Sequence, residues 1–299
     1  MARTGLPKKG CFTSAYPGTE WQETSCATAP QRPYRPARGL RSETVGNGTD
    51  FSVQVSNLIS SATGSFQSVT GVTSESDGSA NTYSLQLNTG FFTTSVCGTA
   101  NPANCEGWQQ FIYSNSGYVF MQYWLLNWGT TCPAGWNTDN SDCWKNSSAT
   151  VVPVQPLSNL ANLAVTGTVA SGTDTVIMST GSGQLHATGQ DSVLNLAQGW
   201  HAAEYNIVGD GNGSAATFNS GSTIVVKLSV ADGTSAAPTC AANSGTTGET
   251  NSLTLVNPCC PIGGTSSPGI TFTESSAAGA KPPFCLTFDI VPISSALLE

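Results

Sequence analysis

Charged residues are scarce in this chain of 299 residues: Asp, Glu, Lys and Arg make up 9% of it, against roughly a quarter in ordinary globular proteins. No apolar run is long enough to span a membrane. The net charge of −8 also argues against nucleic-acid binding, which requires a basic surface. The polar start at Met1 resembles no signal peptide, so we expect any secretory signal to have been trimmed.

Several catalytic motifs are also missing. The sequence has no His-Glu-x-x-His, no Cys-x-x-Cys, no Asp-Thr-Gly or Asp-Ser-Gly, and no glycine-rich phosphate loop between a strand and a helix. The two histidines, His186 and His201, lie in no setting that suits a Ser-His-Asp triad, and we interpret them as ordinary strand or surface residues. The sequence therefore predicts no metal and no cofactor, and it leaves carboxylate chemistry as the candidate.

Cysteine, in contrast, is abundant. The even count of ten, with several cysteines close in sequence, predicts loop-closing disulfides rather than zinc ligands. The cysteines are Cys11 and Cys26, Cys97 and Cys105, Cys132 and Cys143, then Cys240, Cys259, Cys260 and Cys285. Disulfides form in oxidising compartments, so we expect a secreted, extracellular protein, which we also expect to be a monomer.

Alternation of apolar and polar residues marks around a dozen short strands, and no convincing helix is visible. This pattern predicts an all-β fold, an antiparallel β-sandwich of the jelly-roll or concanavalin-like type with disulfide-stapled loops. We expect three regions: a basic, Pro-rich segment (1–48), the β-sandwich itself (49–231), and a Cys-containing β extension that completes the sandwich or forms its own module (232–299).

Positive charge is concentrated near the start of the chain. Residues 1–41 hold seven cations and two acids, a net charge of +5, whereas residues 42–299 hold three cations and sixteen acids, a net charge of −13. The two parts attract at neutral pH and loosen as the pH falls through roughly 4. This suits a pro-segment with an exposed linker and a processing site at Arg38 or Arg41; the alternative is a basic tail bound to an acidic surface.

Two stretches carry the candidate chemistry. Residues 107–128 predict a hairpin, and residues 199–208 predict a strand that bears a carboxylate. Period-two alternation puts the following on groove-facing positions: Glu106, Trp108 and Gln110 on one strand, Gln122 and Trp124 on the next, and Trp200 and Glu204 on the third. Neighbouring strands would then present a Gln/Glu pair among aromatic rings; the alternative is solvent-facing residues over an ordinary core.

The order of Gln110-Phe111-Ile112-Tyr113, Met121-Gln122-Tyr123-Trp124 and Ala203-Glu204-Tyr205-Asn206-Ile207 resembles the glutamic peptidases of the eqolisin (scytalidoglutamic peptidase) type. The resemblance covers residues 50–231. It implies a secreted, acid-active endopeptidase made as a zymogen and acting on proteins or peptides, in which Gln110 and Glu204 are catalytic and Trp124 lines the groove. Trp108, Gln122 and Trp200 are further candidates for substrate binding.

Other functions stay open. Leu126 stands where the family's return strand has a glutamate, so an inactive homologue is one alternative. The more distant neprosin-like peptidases use two glutamates, which makes Glu106 an alternative catalytic residue. A Glu106–Glu204 pair would also suit a glycoside hydrolase. The tryptophans would suit glycan binding, and the Ser/Thr/Gly-rich composition would suit a structural surface protein.

Overall fold

The computed structural model describes residues 9–276, apart from Pro17, Thr19, 38–43, 99–103, Ser171, Thr265 and Ser266. The expected processing sites Arg38 and Arg41, Cys285, and a strand expected over residues 284–291 lie outside the described residues.

The described residues form 23 strands and four short 3-10 helices. In chain order the strands are β1 (Cys11–Ala15), β2 (Gln22–Thr24), β3 (Ala27–Thr28), β4 (Ser52–Gln54), β5 (Ser61–Thr70), β6 (Glu75–Asp77), β7 (Ser79–Ala80), β8 (Ser84–Thr89), β9 (Glu106–Ser114), β10 (Tyr118–Leu126), β11 (Asn137–Asp139), β12 (Asp142–Asn146), β13 (Ser148–Val151), β14 (Ala164–Ala170), β15 (Thr173–Ser179), β16 (Gly183–Gln190), β17 (Ala202–Val208), β18 (Ala215–Phe218), β19 (Thr223–Ala231), β20 (Thr239–Ala241), β21 (Thr250–Asn251), β22 (Thr254–Ile262) and β23 (Gly269–Ser275). The 3-10 helices are Ser95–Cys97, Leu157–Asn162, Asp191–Val193 and Leu196–Gln198.

Two large antiparallel sheets pack face to face and enclose the main core, which confirms the predicted all-β sandwich. The nine-stranded sheet has the order β2-β1-β16-β15-β14-β5-β19-β23-β22. The ten-stranded sheet has the order β11-β12-β10-β9-β8-β17-β4-β20, with β13 and β3 attached at β10. A small four-stranded sheet, β21-β18-β6-β7, contains a parallel pair, β18 with β21.

The β9–β10 hairpin is present as the sequence predicts. Its register runs from Ser114↔Tyr118 to Glu106↔Leu126, and Gly117, at φ +101°, closes the turn by donating its N–H to the Ser114 carbonyl at 3.0 Å. Both faces of the hairpin are buried, which explains why β10 reads as a nearly continuous apolar run. One face lies in the inter-sheet core, and the other faces outwards and carries the candidate site.

Two aromatic rings of the ten-stranded sheet pack directly on glycines of the opposite sheet. A Cβ on Gly64 of β5 would lie 2.0 Å from the ring of Tyr205, and one on Gly167 of β14 would lie 2.6 Å from the ring of Phe111. Because no side chain intervenes at these points, each ring reaches the opposing backbone. Glycine is therefore required here for close approach rather than for a turn.

The N-terminal region belongs to the sandwich. Strands β1 and β2 extend the nine-stranded sheet at β16, and β3 pairs with β13. The following stretch is extended, as expected, but it is not the exposed linker that the sequence suggested, since Tyr34 is completely buried. At the other end of the described chain, β22 and β23 also join the nine-stranded sheet, beside β19.

Disulfides close local loops, as the cysteine spacing predicts. The pairs are Cys11–Cys26, Cys97–Cys105, Cys132–Cys143 and Cys240–Cys259, and Cys260 is disulfide-bonded as well. Such bonds are typical of proteins from oxidising compartments. Within the described part of the chain, no helix is long and apolar enough to cross a membrane.

The Gly64–Tyr205 contact predicts a specific loss of stability. Because the new methyl group of Gly64→Ala would overlap the Tyr205 ring, overpacking should lower the free energy of unfolding by about 1–3 kcal/mol. Ser68→Ala, at an exposed position of the same strand, is the matched control and should change it by no more than about 0.5 kcal/mol. Denaturant unfolding of both variants measures this, and equal stabilities would contradict the packing argument.

Candidate functional site

A row of polar side chains crosses the outward face of the ten-stranded sheet. The row follows strand register from β4 through β17, β8, β9 and β10 to β12 and consists of Ser52, Glu204, Asn88, Gln110, Gln122 and Asn146. The first five of these side chains are at most 3% exposed. The sheet therefore carries a buried polar row on the face opposite the inter-sheet core.

Glu204 and Gln110 are not on neighbouring strands, contrary to our expectation, because β8 pairs with β17 on one side and with β9 on the other. Two strand spacings separate the two residues by roughly 10 Å between backbones. Asn88 of β8 lies between them and donates its Nδ2–H to Glu204 Oε1 at 2.7 Å. The Oδ1 atom of Asn88 is buried and has no hydrogen-bond partner among the described residues.

Glu204 is a buried carboxyl with several donors. Oε1 accepts hydrogen bonds from Asn88 Nδ2, from Thr246 Oγ1 at 2.9 Å and from the Thr247 N–H at 2.8 Å, and Oε2 accepts one from the Thr246 N–H at 2.5 Å. Burial raises the pKa of Glu204, and these hydrogen bonds oppose the rise. Burial also raises the pKa of Asp50, assisted by the nearby charges of Glu204 and Glu274. Two adjacent acids thus compete for ionisation.

Trp124 fixes the glutamines of the row. Its Nε1–H lies 3.2 Å from Gln110 Oε1 and 3.0 Å from Gln122 Oε1, while Gln110 donates from Nε2 to Gln86 Oε1 at 3.1 Å. Both amide oxygens therefore face the indole. Trp124 thus binds the oxygen of the Gln110 amide and Gln86 binds its nitrogen. Together these two hydrogen bonds fix the orientation of the amide.

The tryptophans on this face form a cluster. Trp108 and Trp124 lie 6.1 Å apart between ring centroids, and Trp144 lies 6.3 Å from Trp124. Period-two alternation predicted this face for Trp108 and Trp124. All three rings are at most 6% exposed, so the exposed stacking platforms that a glycan-binding site needs are absent from this cluster in the structure described.

Two other candidate residues lie elsewhere. Trp200 precedes β17, so the strand's alternation does not extend to it; its ring is in the inter-sheet core, stacked on Phe111 at 5.5 Å. Glu106 is half-buried and pairs with Leu126, four residues along β9 from Gln110, which corresponds to about 13 Å. The fold does not bring Glu106 and Glu204 together.

A loop that the sequence analysis did not single out, residues 244–251, covers one half of the row. Its Thr246 and Thr247 bind Glu204, and its Glu249 is fully buried. Glu249 accepts hydrogen bonds from Thr247 Oγ1 at 2.9 Å and from the N–H of Gly213 at 2.9 Å, and burial raises its pKa to about 7. One acid within a run of Gly and Thr was the only sequence signal for this loop.

Residues 29–37, which we call the covering segment, lie over the other half of the row. The N–H of Tyr34 donates to Gln122 Oε1 at 2.7 Å, and Gln122 Nε2 donates to the Arg32 carbonyl at 3.0 Å. Further along, the N–H of Arg35 donates to Glu249 Oε1 at 3.0 Å. The segment is thus held by backbone hydrogen bonds, in the manner of an extended peptide.

The far end of the covering segment meets the 244–251 loop. Gly248 donates its N–H to the Arg35 carbonyl at 2.7 Å, and the N–H of Ala37 donates to the Thr246 carbonyl at 2.7 Å. Because Gln122 contacts β9 residue Gln110 across the register and Thr246 binds Glu204, residues 32–37 cross the polar row from the glutamine side to the glutamate side.

Other parts of the molecule offer less chemistry. His186 is buried on the nine-stranded sheet between the rings of Phe12 and Trp21, and burial lowers its pKa to about 4. A cavity of about 410 Å³ lies beside β4 and β20 and has Asp232 as its only acid. The described residues contain no group of His, Cys, Asp and Glu side chains suited to a metal ion.

The buried acids Glu249 and Glu274 predict that the fold loses stability as the pH rises from 5 to 8. Burial raises the pKa of Glu249 to about 7 and that of Glu274 to about 8, from an ordinary 4.5. Stability from these protonated acids is complete below pH 4.5 and is lost as the pH rises through 7 to 8, by up to about 1.4 kcal/mol per pH unit for each group. Calorimetry should show a melting temperature that falls between pH 5 and pH 8.

The slope of that profile has an internal check. Glu274→Gln removes one titrating group and should flatten the fall, whereas Glu23→Gln, at an exposed position of β2, should leave the slope unchanged. A melting temperature that climbs steadily from pH 5 to pH 8 would be incompatible with neutral buried acids.

No protein-family model matches the chain, and a search of curated proteins finds no significant match.

Proposed function

We propose that this protein is a secreted, acid-active endopeptidase that uses Glu204 and Gln110 to hydrolyse peptide bonds in protein or peptide substrates. One observation carries the proposal: Glu204, a buried carboxyl, and Gln110 lie in one row of polar side chains, and an extended peptide segment crosses that row. The disulfides fit an extracellular setting, and the chemistry requires no cofactor.

The proposed reaction is general acid–base catalysis by one carboxyl. Ionised Glu204 accepts a proton from water while the water oxygen attacks the peptide carbonyl carbon, above Asn88. The second N–H of Gln110 Nε2 donates to the oxyanion that forms, since the first is held by Gln86. The C–N bond then breaks, and the proton on Glu204 passes to the leaving amine, which regenerates the carboxylate.

The resemblance to the glutamic peptidases supports the same pair of residues. The glutamate that family has on its return strand is replaced by Leu126, which packs with Trp108, Trp124 and Trp144. A buried carboxyl is nevertheless connected to Gln110, because Gln86 accepts from Gln110 and lies 3.4 Å from Glu249 Oε2 through its own Nε2. We assign Glu249 the supporting role.

The covering segment gives this enzyme the character of a zymogen. Residues 32–37 occupy the space in which a substrate would cross the row, so the form described would be inactive. The disulfide of this region, Cys11–Cys26, is internal to it. A cut between residues 37 and 44 would therefore leave the N-terminal piece held only by non-covalent contacts.

Cleavage assays test the catalytic assignment. Protein that has been cut between residues 37 and 44 is incubated with denatured protein substrate from pH 2 to pH 7. Cleavage should occur only in acid, and Glu204→Gln or Gln110→Ala should lower kcat by about 10²–10⁴-fold. Glu106→Gln is the matched control on β9 and should retain activity. Circular dichroism of each variant confirms folding. Undiminished cleavage by folded Glu204→Gln protein would refute the assignment.

A structural, non-catalytic protein is the second candidate. It is favoured by the incorporation of β1, β2 and β3 into the sheets, which suits an N-terminal region that never leaves. In that case the polar row would serve only to hold residues 29–37 in place.

Release of the N-terminal piece separates the two candidates. A recognition site for a specific protease, inserted between residues 37 and 44, allows the folded chain to be cut once. On gel filtration in acid, the cut zymogen should lose its N-terminal piece and gain cleavage activity, while the uncut protein with the same insertion should do neither. A piece that stays bound at every pH from 2 to 7 would favour the structural role.

A further inference from the structure

Three side chains of the covering segment each occupy a separate binding position in the groove that the segment fills. Arg32 pairs with Asp210, Arg35 pairs with Asp139, and Tyr34 inserts between them into the sheet face. These are the two ion pairs between Lys or Arg and Asp or Glu among the described residues. We propose that Asp210 and Asp139 are specificity residues and that the groove recognises extended basic peptides of the pattern Arg-x-Tyr-Arg.

The binding position formed by Asp210 is the more deeply buried of the two. The side chain of Asp210 is 1% exposed and forms an ion pair with Arg32. It also accepts a hydrogen bond from the Tyr34 hydroxyl at 2.6 Å and another from Ser114 Oγ at 2.9 Å. The Tyr34 ring lies edge-on to Phe120 at 5.8 Å and packs in a small cluster with Ile112. One buried carboxylate therefore selects both a cation and an aromatic hydroxyl.

The binding position formed by Asp139 lies nearer the surface. Arg35 Nε is 2.8 Å from Asp139 Oδ2, and Arg35 Nη2 is 3.5 Å from Asp139 Oδ1. The guanidinium also donates from Nη1 to the carbonyl of Asn212 at 3.2 Å. The side chain of Asp139 is 15% exposed and that of Arg35 is 42% exposed, so this pair should contribute less than the buried one.

The same two binding positions, at Asp210 and Asp139, would select among incoming peptides. The backbone contacts of the segment, such as Gly248 with the Arg35 carbonyl and Asn212 with the Pro33 carbonyl at 2.7 Å, are open to any extended chain. Discrimination therefore falls to the side chains. A peptide with no cation or hydroxyl for Asp210 would leave a buried carboxylate without those partners, which is costly. The acidic body, at −13 over residues 42–299, also attracts basic peptides.

This inference rests on the proposed function, in that the groove must open once the covering segment leaves, but its test measures binding alone. The full chain, cut between residues 37 and 44 as above, carries a fluorophore at the cut end of its N-terminal piece, next to the covering segment. Competing nonapeptides with the sequence of residues 29–37 displace the covering segment at pH 7, where the proposed acid chemistry is slow, while β1, β2 and β3 stay paired. Fluorescence anisotropy reports the displacement. The peptides carry the wild-type sequence, Arg32→Gln, Tyr34→Phe or Arg35→Gln.

We expect Arg32→Gln to weaken displacement by about 10–100-fold, and Tyr34→Phe and Arg35→Gln by about 3–10-fold. On protein carrying Asp139→Asn, the Arg35→Gln peptide should bind as well as the wild-type peptide, which shows that the two groups act as a pair. Arg32→Gln serves as the matched control there and should keep its full effect. Because these changes are made mainly in the peptide, the protein's fold is not at risk.

The outcomes separate the two proposals. Equal displacement by all four peptides, or no displacement by any of them, overturns the specificity assignment. The predicted ranking without peptide cleavage at any pH leaves peptide recognition standing and removes the peptidase. Acid cleavage of basic and acidic peptides at the same kcat/KM removes the recognition and leaves the peptidase.

Discussion

The rest of the structure depends on one constraint: a row of polar side chains is buried on the outward face of a β-sheet. A buried polar atom without a hydrogen bond is costly, so the row has to be covered by groups that donate and accept at fixed points. The 244–251 loop supplies them for Glu204, and the covering segment supplies them for Gln122. Both covering elements meet the row with backbone N–H or C=O groups, since Thr246 and Thr247 donate to Glu204 and Tyr34 donates to Gln122.

Local periodicity predicted much of this arrangement. Alternation along residues 106–126 gave the β9–β10 hairpin and the shared face of Gln110 and Trp124, since the faces of a strand depend only on its own residues. The place of Asn88 between Gln110 and Glu204 could not be predicted, because it depends on β8 pairing with strands about 20 and 115 residues away along the chain. Trp200 was misplaced because alternation was extended past the start of β17.

The groups of the candidate site that the sequence analysis missed are in irregular segments. Glu249 has no periodic pattern around it, and its contacts with Gly213 and Arg35 join parts of the chain more than 30 residues apart. The part that Thr246 and Thr247 play in the candidate site is likewise visible only when the fold places Glu204 beneath them. The bonds that hold Glu204, the proposed catalytic carboxyl, therefore come from a loop that composition alone describes as a Thr/Gly-rich turn.

The scarcity of charge acquires a physical meaning in this structure. A buried carboxyl is stabilised by a cation, by amide and backbone donors, or by a proton. With most of its cations in residues 1–41, the chain relies on the second and third means: Asn206 donates to both Asp50 and Glu274, and burial raises the pKa of each acid. Glu274, whose pKa burial raises to about 8, is therefore neutral at pH 7 as well as in acid. The scarcity of cations and the amide groups around the buried acids thus follow from the same choice of partners.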